Sequence, residues 1–139
     1  MSHRDDGMLV LLPDGWPRPV GYANGISVPA GRIIAVAGQV GWNPSTLEFE
    51  STDMAAQART ALANVLAVLV AGGAGPQHVI RMTWYVTDRA AYLEARRAIG
   101  QAWRATFGEH YPAMALVVVA GLLEERALVE IEATAVIPD

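Results

Sequence analysis

Few residues of this chain could carry acid–base chemistry, and the clearest of them lie near its end. Glu130 and Glu132 alternate with apolar residues in segment 128–136, so both carboxylates project from one face of a predicted strand. A carboxylate placed in this way can orient a water molecule and accept its proton, although such a pair is more often simply solvated. His110 is a further candidate acid or base, or else an ordinary loop residue.

Other kinds of chemistry are excluded by the composition. The chain has no cysteine, which removes disulfides, thiolate nucleophiles and cysteine metal ligands. All ten basic residues are arginine, so no lysine side chain can form a Schiff base with a carbonyl substrate. His3 and His78 have no partners at metal-ligand spacing, and we therefore expect neither a metal site nor another cofactor.

The charge and the length of the chain limit its partners and its location. The net charge is −4 and no basic cluster stands out, which argues against binding to nucleic acid. The first residues do not show a positively charged start followed by an apolar run, so we expect no signal peptide, and we find no apolar run that approaches the ~18 residues of a membrane span. We expect a cytoplasmic protein, without membrane contact, that forms one domain over residues 1–139.

Two long helices are predicted to form the framework. The first covers residues 53–71, where apolar residues recur at helical spacing and where Asp53, or Thr52 before it, can cap the first turn. The second covers residues 88–107, with Asp88 as its cap. Glycine follows both segments, as is common beyond the last turn of a helix.

Strands are predicted on both sides of these helices. They cover residues 8–12, 26–28, 32–37, 79–86, 117–119 and 128–136. The second and third of these strands flank a Pro-Ala-Gly turn and are predicted to pair as a β-hairpin. The order of elements predicts an α+β fold in which both helices cover one face of a single sheet.

The last strand indicates which face the helices cover. Its even-numbered residues, which share one face, include Glu130, Glu132 and Thr134. Its odd-numbered residues, the odd set, are entirely apolar and are expected beneath the helices. The odd set consists of Val129, Ile131, Ala133 and Ala135. The face that carries the carboxylates must then be covered by something else.

Several short motifs follow one another in an order that is typical of one protein family. They are Ala-Gly-Gln at 37–39, Ala-Ala-Gln-Ala-Arg at 55–59, Asn-Val at 64–65, Tyr-Val-Thr-Asp at 85–88, Pro-Ala at 112–113 and Glu-Ile-Glu-Ala at 130–133. In these motifs and their spacing the chain resembles the RidA/YjgF (endoribonuclease L-PSP-like) family of enamine and imine deaminases. The resemblance implies a chorismate-mutase-like α+β fold with one mixed sheet, and homotrimers that bind small molecules in clefts between subunits.

The resemblance also implies roles for individual residues. In the family a glutamate places the water that attacks the imine carbon, which releases ammonia and a 2-keto acid, and this residue corresponds to Glu130. The family tyrosine of the N-terminal loop corresponds to Tyr22, and the glycine of the Gly-Gln turn corresponds to Gly38.

Three departures from the family pattern remove polar groups from the implied cleft. The family arginine that clamps the substrate carboxylate is Met114 here, the cysteine two residues later is Leu116, and the serine before the Gly-Gln turn is Ala37. Met114 is either a lining residue of the cleft or plain core. A thioether cannot pair with a carboxylate, and an unpaired buried carboxylate is costly, so activity on short 2-imino acids should be weak or absent.

Arg96 is a candidate for the missing cation. It corresponds to a family asparagine that lines the cleft, and its helical phase places it between Tyr92 and Ile99 on the apolar face. By the same phase Arg97 and Arg104 are expected to point well away. The alternative is that Arg96 extends to the surface and pairs with a local carboxylate, such as that of Glu94 or of Glu130.

Three functions remain open at this stage. The leading hypothesis is a deaminase that hydrolyses an enamine or imine other than short 2-imino acids, with an aromatic or otherwise larger side chain. The second is a trimer without catalytic activity that binds a small acid or a partner protein. The third follows from the older family description as an endoribonuclease or translation inhibitor, against which the negative charge counts.

Overall fold

The computed structural model describes residues 2–3 and 7–139. Within these residues the strands are β1 (Ser2–His3), β2 (Leu9–Leu11), β3 (Gly25–Ser27), β4 (Gly31–Val40), β5 (Val79–Val86), β6 (Ala113–Val118) and β7 (Val129–Pro138). The helices are α1 (Met54–Ala71) and α2 (Arg89–Phe107), and a single 3-10 turn, Pro76–His78, leads into β5. In the chain, α1 lies between β4 and β5, and α2 lies between β5 and β6.

The main sheet has four strands in the order β4-β7-β5-β6. β7 is antiparallel to β4 and to β5, whereas β5 and β6 are parallel and are joined by α2. The sheet is therefore mixed, and both helices contribute to one core against one of its faces. The predicted α+β fold is confirmed.

The first three strands form a separate small antiparallel sheet in the order β1-β2-β3. β3 pairs with β2, and β4 pairs with β7 instead of β3, so the predicted hairpin of residues 26–28 and 32–37 was wrong. The physical reason is the length of the competing ladder. β4 and β7 have ten residues each, and their long antiparallel ladder buries far more than a hairpin to a three-residue strand would.

The hydrophobic core lies between the main sheet and the helices. α1 contributes Leu62, Val65 and Leu69, and α2 contributes Ile99, Trp103 and Phe107, among other buried side chains. The apolar residues of β7 that were predicted beneath the helices are all in this core: Val129, Ile131, Ala133 and Ala135. Their position confirms which sheet face the helices cover.

α1 begins as the sequence predicts, because the Asp53 carboxylate accepts a hydrogen bond from the backbone N–H of Ala56 at 3.0 Å. The 18 residues of α1 are long and apolar enough to cross a membrane. The expectation that the chain contains no apolar run of this length missed this helix. Half of that window is buried within the fold, where the helix packs on the sheet. These features are typical of the core helix of a globular domain.

Two β-bulges change the alternation of the main sheet. Between Val79 and Arg81 the register of β5 shifts against β7, so Val79 enters the core with Met82, although strict alternation predicted it on the opposite face. Between Val36 and Gln39 the register of β4 shifts, so that β4 has one residue more than β7 in this interval. The second bulge contains Gly38 and determines what that residue faces.

Candidate functional site

A cavity of about 550 Å³ lies between α2, β6 and the loop that precedes β3. Four of the six residues selected from the sequence line it together: Tyr22, Arg96, Met114 and Leu116. Sheet register explains two of them. Met114 and Leu116 pair with Met82 and Trp84 in the parallel ladder, so all four side chains face the helices.

Tyr22 reaches the cavity because its loop is attached to the edge of the main sheet. The backbone N–H of Ala23 donates to the carbonyl of Pro112 at 2.9 Å, and Ala23 forms a parallel bridge with Ala113. Gly21 has a φ of +81°, a conformation that residues with a Cβ rarely adopt. Together these features hold Tyr22 beside the start of β6.

The walls of the cavity are strongly aromatic. Trp84, Tyr92, Trp103 and Tyr111 all line it, in addition to Tyr22. The rings of Trp103 and Tyr111 stack with a centroid distance of 5.9 Å and an interplanar angle of 11°. Within residues 7–139 the buried indole N–H groups of both tryptophans have no hydrogen-bond partner. Such a lining suits a flat, apolar ligand.

Two arginines line the same cavity, and no carboxylate is among the residues that line it. Arg96 is one of them, and in the described part of the chain it forms no ion pair with Glu94 or Glu130, so the partners considered for it are not used. The other is Arg104, which was predicted to point away, and that prediction was wrong. The Arg104 guanidinium lies over Gly100, where a Cβ would approach Nη1 to 3.4 Å.

The helical wheel missed Arg104 because it treats a side chain as a fixed direction. Gly100 has no side chain, so it leaves space on the helix surface into which the long Arg104 side chain folds toward the cavity. An arginine four residues after a glycine on the flank of the apolar face is the sequence signal that could have indicated this.

Tyr92 reports on the charge near Arg96. Burial raises the pKa of Tyr92 above its ordinary value, and the positive charge of Arg96 partly opposes that rise. The phenol therefore stays neutral at physiological pH and can act as a hydrogen-bond donor in the cavity.

Glu130 and Gly38 lie elsewhere, on the sheet face that the helices leave uncovered. Glu130 pairs with Tyr85 on one side and with Val40 on the other. The bulge in β4 brings Gly38 against Glu130 so closely that a Cβ on Gly38 would lie 2.7 Å from its Cδ. The two residues thus form one cluster, separated by the sheet from the cavity that contains Arg96.

The neighbouring carboxylate has a partner of its own. The hydroxyl of Tyr85 donates to Oε1 of Glu132 at 2.6 Å. This hydrogen bond, followed by desolvation and by the charges of Glu132 and Glu130, raises the pKa of Tyr85. One oxygen of Glu132 is thereby engaged, whereas no side-chain hydrogen bond to Glu130 is formed within the described residues, so the Glu130 carboxylate is the freer of the two to bind a water molecule.

His110 does not line the aromatic cavity. Its Nε2 lies 2.6 Å from the carbonyl oxygen of Val79, which the ring N–H can donate to. This contact ties the loop after α2 to the start of β5. Among the described residues no group of three or more potential ligands could hold a metal ion.

The chain is similar over most of its length to proteins of one family. The model of the endoribonuclease L-PSP family matches residues 17–137. The 2-iminobutanoate/2-iminopropanoate deaminase of Escherichia coli strain K12 is 36% identical over 130 residues, which cover 91% of this chain and 95% of that protein.

Solved structures agree with this match. The Rid-family protein YyfB from Yersinia pestis superposes with a TM-score of 0.83 at 31% identity, covering 94% of this chain and 98% of that one. Escherichia coli TdcF with bound serine gives a TM-score of 0.65 at 32% identity, covering 93% and 98%. The chain therefore belongs to the endoribonuclease L-PSP family, which includes the RidA/YjgF enamine and imine deaminases.

Proposed function

We propose that this protein is a cytoplasmic homotrimeric deaminase that hydrolyses an aromatic or similarly large 2-imino or 2-enamino acid. The observation that carries the proposal is the aromatic cavity into which Arg96, Tyr22, Met114 and Leu116 all project. Its volume of about 550 Å³ and its flat aromatic walls suit a substrate larger than 2-iminobutanoate.

Arg96 binds the substrate carboxylate in this proposal. A guanidinium group presents a planar pair of donors that matches a carboxylate, and Arg96 has no competing ion pair in the described chain. Because Arg96 enters from α2 whereas Met114 lies on β6, the carboxylate is held at a different place from the family position. The side chain of the substrate then lies against Met114, Leu116 and the aromatic walls.

The reaction is the addition of water to a carbon–nitrogen double bond. Glu130 orients a water molecule and accepts its proton while the oxygen bonds to the imine carbon and the nitrogen is protonated. The resulting carbinolamine loses ammonia as its carbon–nitrogen bond breaks, the hydroxyl proton leaves, and the carbonyl of a 2-keto acid forms. One imino acid and one water molecule give one keto acid and one ammonia.

A second copy of the chain completes the site. Glu130 faces away from the helices, whereas Met114 and Arg96 lie on the helix side of the sheet, so one chain does not bring them together. In a ring of three copies, the uncovered sheet face of one subunit can meet the aromatic cavity of the next. Each cleft would then take Glu130 and Gly38 from one subunit and Arg96 from its neighbour.

A trapping assay tests the proposal. An amino-acid oxidase generates 2-imino acids from phenylalanine, leucine, alanine or 2-aminobutyrate, and semicarbazide captures whatever imine is not hydrolysed. We expect the protein to suppress capture of the phenylalanine-derived imine at least about tenfold more efficiently than capture of 2-iminobutanoate, since the anchor and the pocket both favour the larger acid.

Variants separate recognition from chemistry. Glu130→Gln should lower kcat by about 100-fold or more, the usual size of an acid–base contribution. Arg96→Gln should raise KM by about tenfold or more, and Arg97→Gln, on the adjacent exposed position, is its matched control. Equal turnover of 2-iminobutanoate and the aromatic imine would contradict the altered recognition.

A ligand-binding protein without catalytic activity is the second candidate. It is favoured by the replacement of polar cleft groups by Ala37, Met114 and Leu116. Aromatic acids that raise the melting temperature while no imine is hydrolysed would support it. An endoribonuclease is disfavoured by the net charge of −4, and only RNA cleavage that coelutes with the oligomer in size exclusion would support that function.

A further inference from the structure

The aromatic cavity contains more positive charge than one carboxylate requires. Both Arg96 and Arg104 line it, and no acidic residue does. In the described chain neither guanidinium is engaged in an ion pair or a side-chain hydrogen bond. Among the residues of one chain, a monoanionic 2-imino acid would neutralise one of these two cations and leave the other without a counter-ion in the same cavity.

The spacing of the two arginines separates them along α2. Eight residues at 1.5 Å each place their Cα atoms about 12 Å apart along the helix axis. Gly100 lies halfway between them, and the Arg104 guanidinium rests over it. Tyr92 and Ile99 flank the Arg96 end, whereas Trp103 and Tyr111 stack near the Arg104 end. The two arginines therefore border the cavity from different turns of α2, and aromatic side chains form the wall beside them.

We propose that Arg104 binds a second anionic group, so that the ligand is an aromatic acid with negative groups at opposite ends of the molecule. This rests on the proposed function only for the identity of the ligand as a substrate, since the binding itself needs no turnover. Arg96 holds the carboxylate next to the reacting carbon, and Arg104 holds the remote carboxylate or phosphate. The ring lies between them against Trp84 and Trp103.

Binding of two matched stable acids tests the assignment. The monoanion is 3-phenylpropanoate, and the dianion is 3-(4-carboxyphenyl)propanoate, which adds a carboxylate at the far end of the ring. Titration calorimetry on the full-length protein should give at least about tenfold tighter binding of the dianion. The preference should shrink at high salt, because exposed charges are screened.

Three variants assign the preference to one residue. Arg104→Gln should reduce the ratio of the two affinities to less than about twofold, chiefly by weakening binding of the dianion. Arg96→Gln should weaken both ligands. Arg97→Gln, an exposed neighbour outside the cavity, should change neither. Arg104 is exposed at the helix surface, so its variant should keep the melting temperature of the parent.

The outcomes that overturn the proposal are distinct from those that overturn the deaminase function. Equal affinities of the parent protein for the two acids, no binding of the dianion at millimolar concentration, or a preference that survives Arg104→Gln would each overturn it. If the preference follows Arg104 but no imine is hydrolysed, the second anion site holds and only the catalytic function fails.

Discussion

The altered recognition that we propose begins with one residue on β6. Met114 is pliable and apolar, and the resemblance to the family places it where an arginine would clamp a carboxylate. In the proposed function the cation is supplied from α2 by Arg96, with Arg104 further along the same helix and also lining the cavity. The substrate carboxylate would then be bound from the helix side of the cavity and not from the sheet.

The ionisation of Tyr92 should respond to this relocated charge. Arg96 lowers the pKa of Tyr92 against the effect of burial, so Arg96→Gln should raise that pKa further. Tyrosines labelled at Cζ and titrated by NMR would measure the shift. Because the folded pKa already exceeds the ordinary value of ~10, stability from the neutral phenol is complete below pH ~10 and is lost above it.

The matched control for that titration is Arg97→Gln, which removes a charge from an exposed position outside the cavity. This variant should leave the pKa of Tyr92 unchanged. A Tyr92 pKa that falls or does not move in Arg96→Gln would show that the guanidinium lies elsewhere in solution.

Restoring the arginine of the family at position 114 should restore a preference for short 2-imino acids. Met114→Arg places a guanidinium on β6 at the edge of the cavity. There it can bind the carboxylate of a short 2-imino acid and fill the part of the cavity that the small side chain of this substrate leaves empty. We expect kcat/KM for 2-iminobutanoate to rise at least about tenfold in the trapping assay. Met114→Leu conserves volume and should leave that rate low. A gain in Met114→Leu equal to that in Met114→Arg would refute the electrostatic explanation.

Sequence reasoning at the residue scale succeeded where the backbone alone determines direction. Met114 and Leu116 were selected from the resemblance to the family, and Arg96 from that resemblance and its helical phase; one strand face and one helix face bring the three to the same cavity. Arg104 could not, because its placement depends on the empty space above Gly100. Long side chains reach positions that depend on the size of their neighbours, and helical phase does not describe this.

At the scale of the element, the bulge in β4 positions the candidate catalytic carboxylate. Gly38 lies so close to Glu130 that an added Cβ would meet Cδ at 2.7 Å and Oε2 at 2.9 Å. Gly38→Ala should therefore displace the carboxylate and lower kcat on the aromatic imine by about tenfold or more, with a smaller effect on KM.

The control for this substitution is Gly121→Ala. Gly121 has no atom within 4 Å of its added Cβ and no positive φ, so the change should be neutral. Circular dichroism should show that both variants are folded. Full activity in Gly38→Ala would mean that the Glu130 carboxylate does not need its observed position.

Two buried amides of α1 attach neighbouring loops to that helix. Gln57 is 1% exposed, donates to the carbonyls of Ser51 and Arg126, and accepts from the backbone N–H of Leu128 at 2.8 Å. Asn64 similarly donates to the carbonyls of Val40 and Trp42. These roles explain why amides occur inside a helix that is otherwise apolar.

Removal of the Gln57 amide should destabilise the fold substantially. Gln57→Leu keeps the volume but removes the partner of the Leu128 N–H and of two carbonyls, all of them partly buried, at up to ~1–3 kcal/mol each. We expect the free energy of unfolding in urea to fall by ~2–5 kcal/mol. Gln101→Leu, at an exposed position of α2, should change it by less than ~1 kcal/mol. Equal losses in the two variants would contradict this role of Gln57.

The elements themselves were largely predictable, whereas their pairing was less so. Helix caps at Asp53 and Asp88 and the periodicity of α1 and α2 are local signals, and the structure has both. The partners of the β4 residues lie from 90 to 107 residues away in the chain, so a local turn after Val28 suggested the wrong neighbour. The bulges also depend on the partner strand and leave no clear signal in a single sequence.

At the scale of the whole molecule, the uncovered sheet face is an unusual surface for a chain that acts alone. Its edges are apolar, with Ile33 70% exposed on β4 and Val117 41% exposed on β6. Its centre carries Tyr85, Glu130 and Glu132, which are only half-buried. A face with an apolar border around half-buried polar groups favours burial by further copies of the chain.

Hybrid trimers can decide whether one site is built from two chains. Sedimentation should first give a mass three times the 14.8 kDa of one chain. Assayed at substrate concentrations well below KM, Glu130→Gln and Arg96→Gln should each keep at most about a tenth of the parent activity as homotrimers, because a tenfold higher KM lowers the rate about tenfold there. If each cleft takes Glu130 from one subunit and Arg96 from the next around a closed ring, coexpression in equal amounts leaves about one quarter of the clefts with both residues intact.

The expected result is therefore about one quarter of the parent activity from the unsorted mixture of the two variants. If both residues acted within a single subunit, every cleft in a hybrid would lack one of them and activity would stay at the level of the variants. Two different affinity tags allow hybrids to be isolated, in which one cleft of every three would be intact and about one third of the parent activity is expected, and subunits mixed only after assembly provide the control. The opposite faces of the sheet on which Glu130 and Met114 lie are the structural reason to expect recovery.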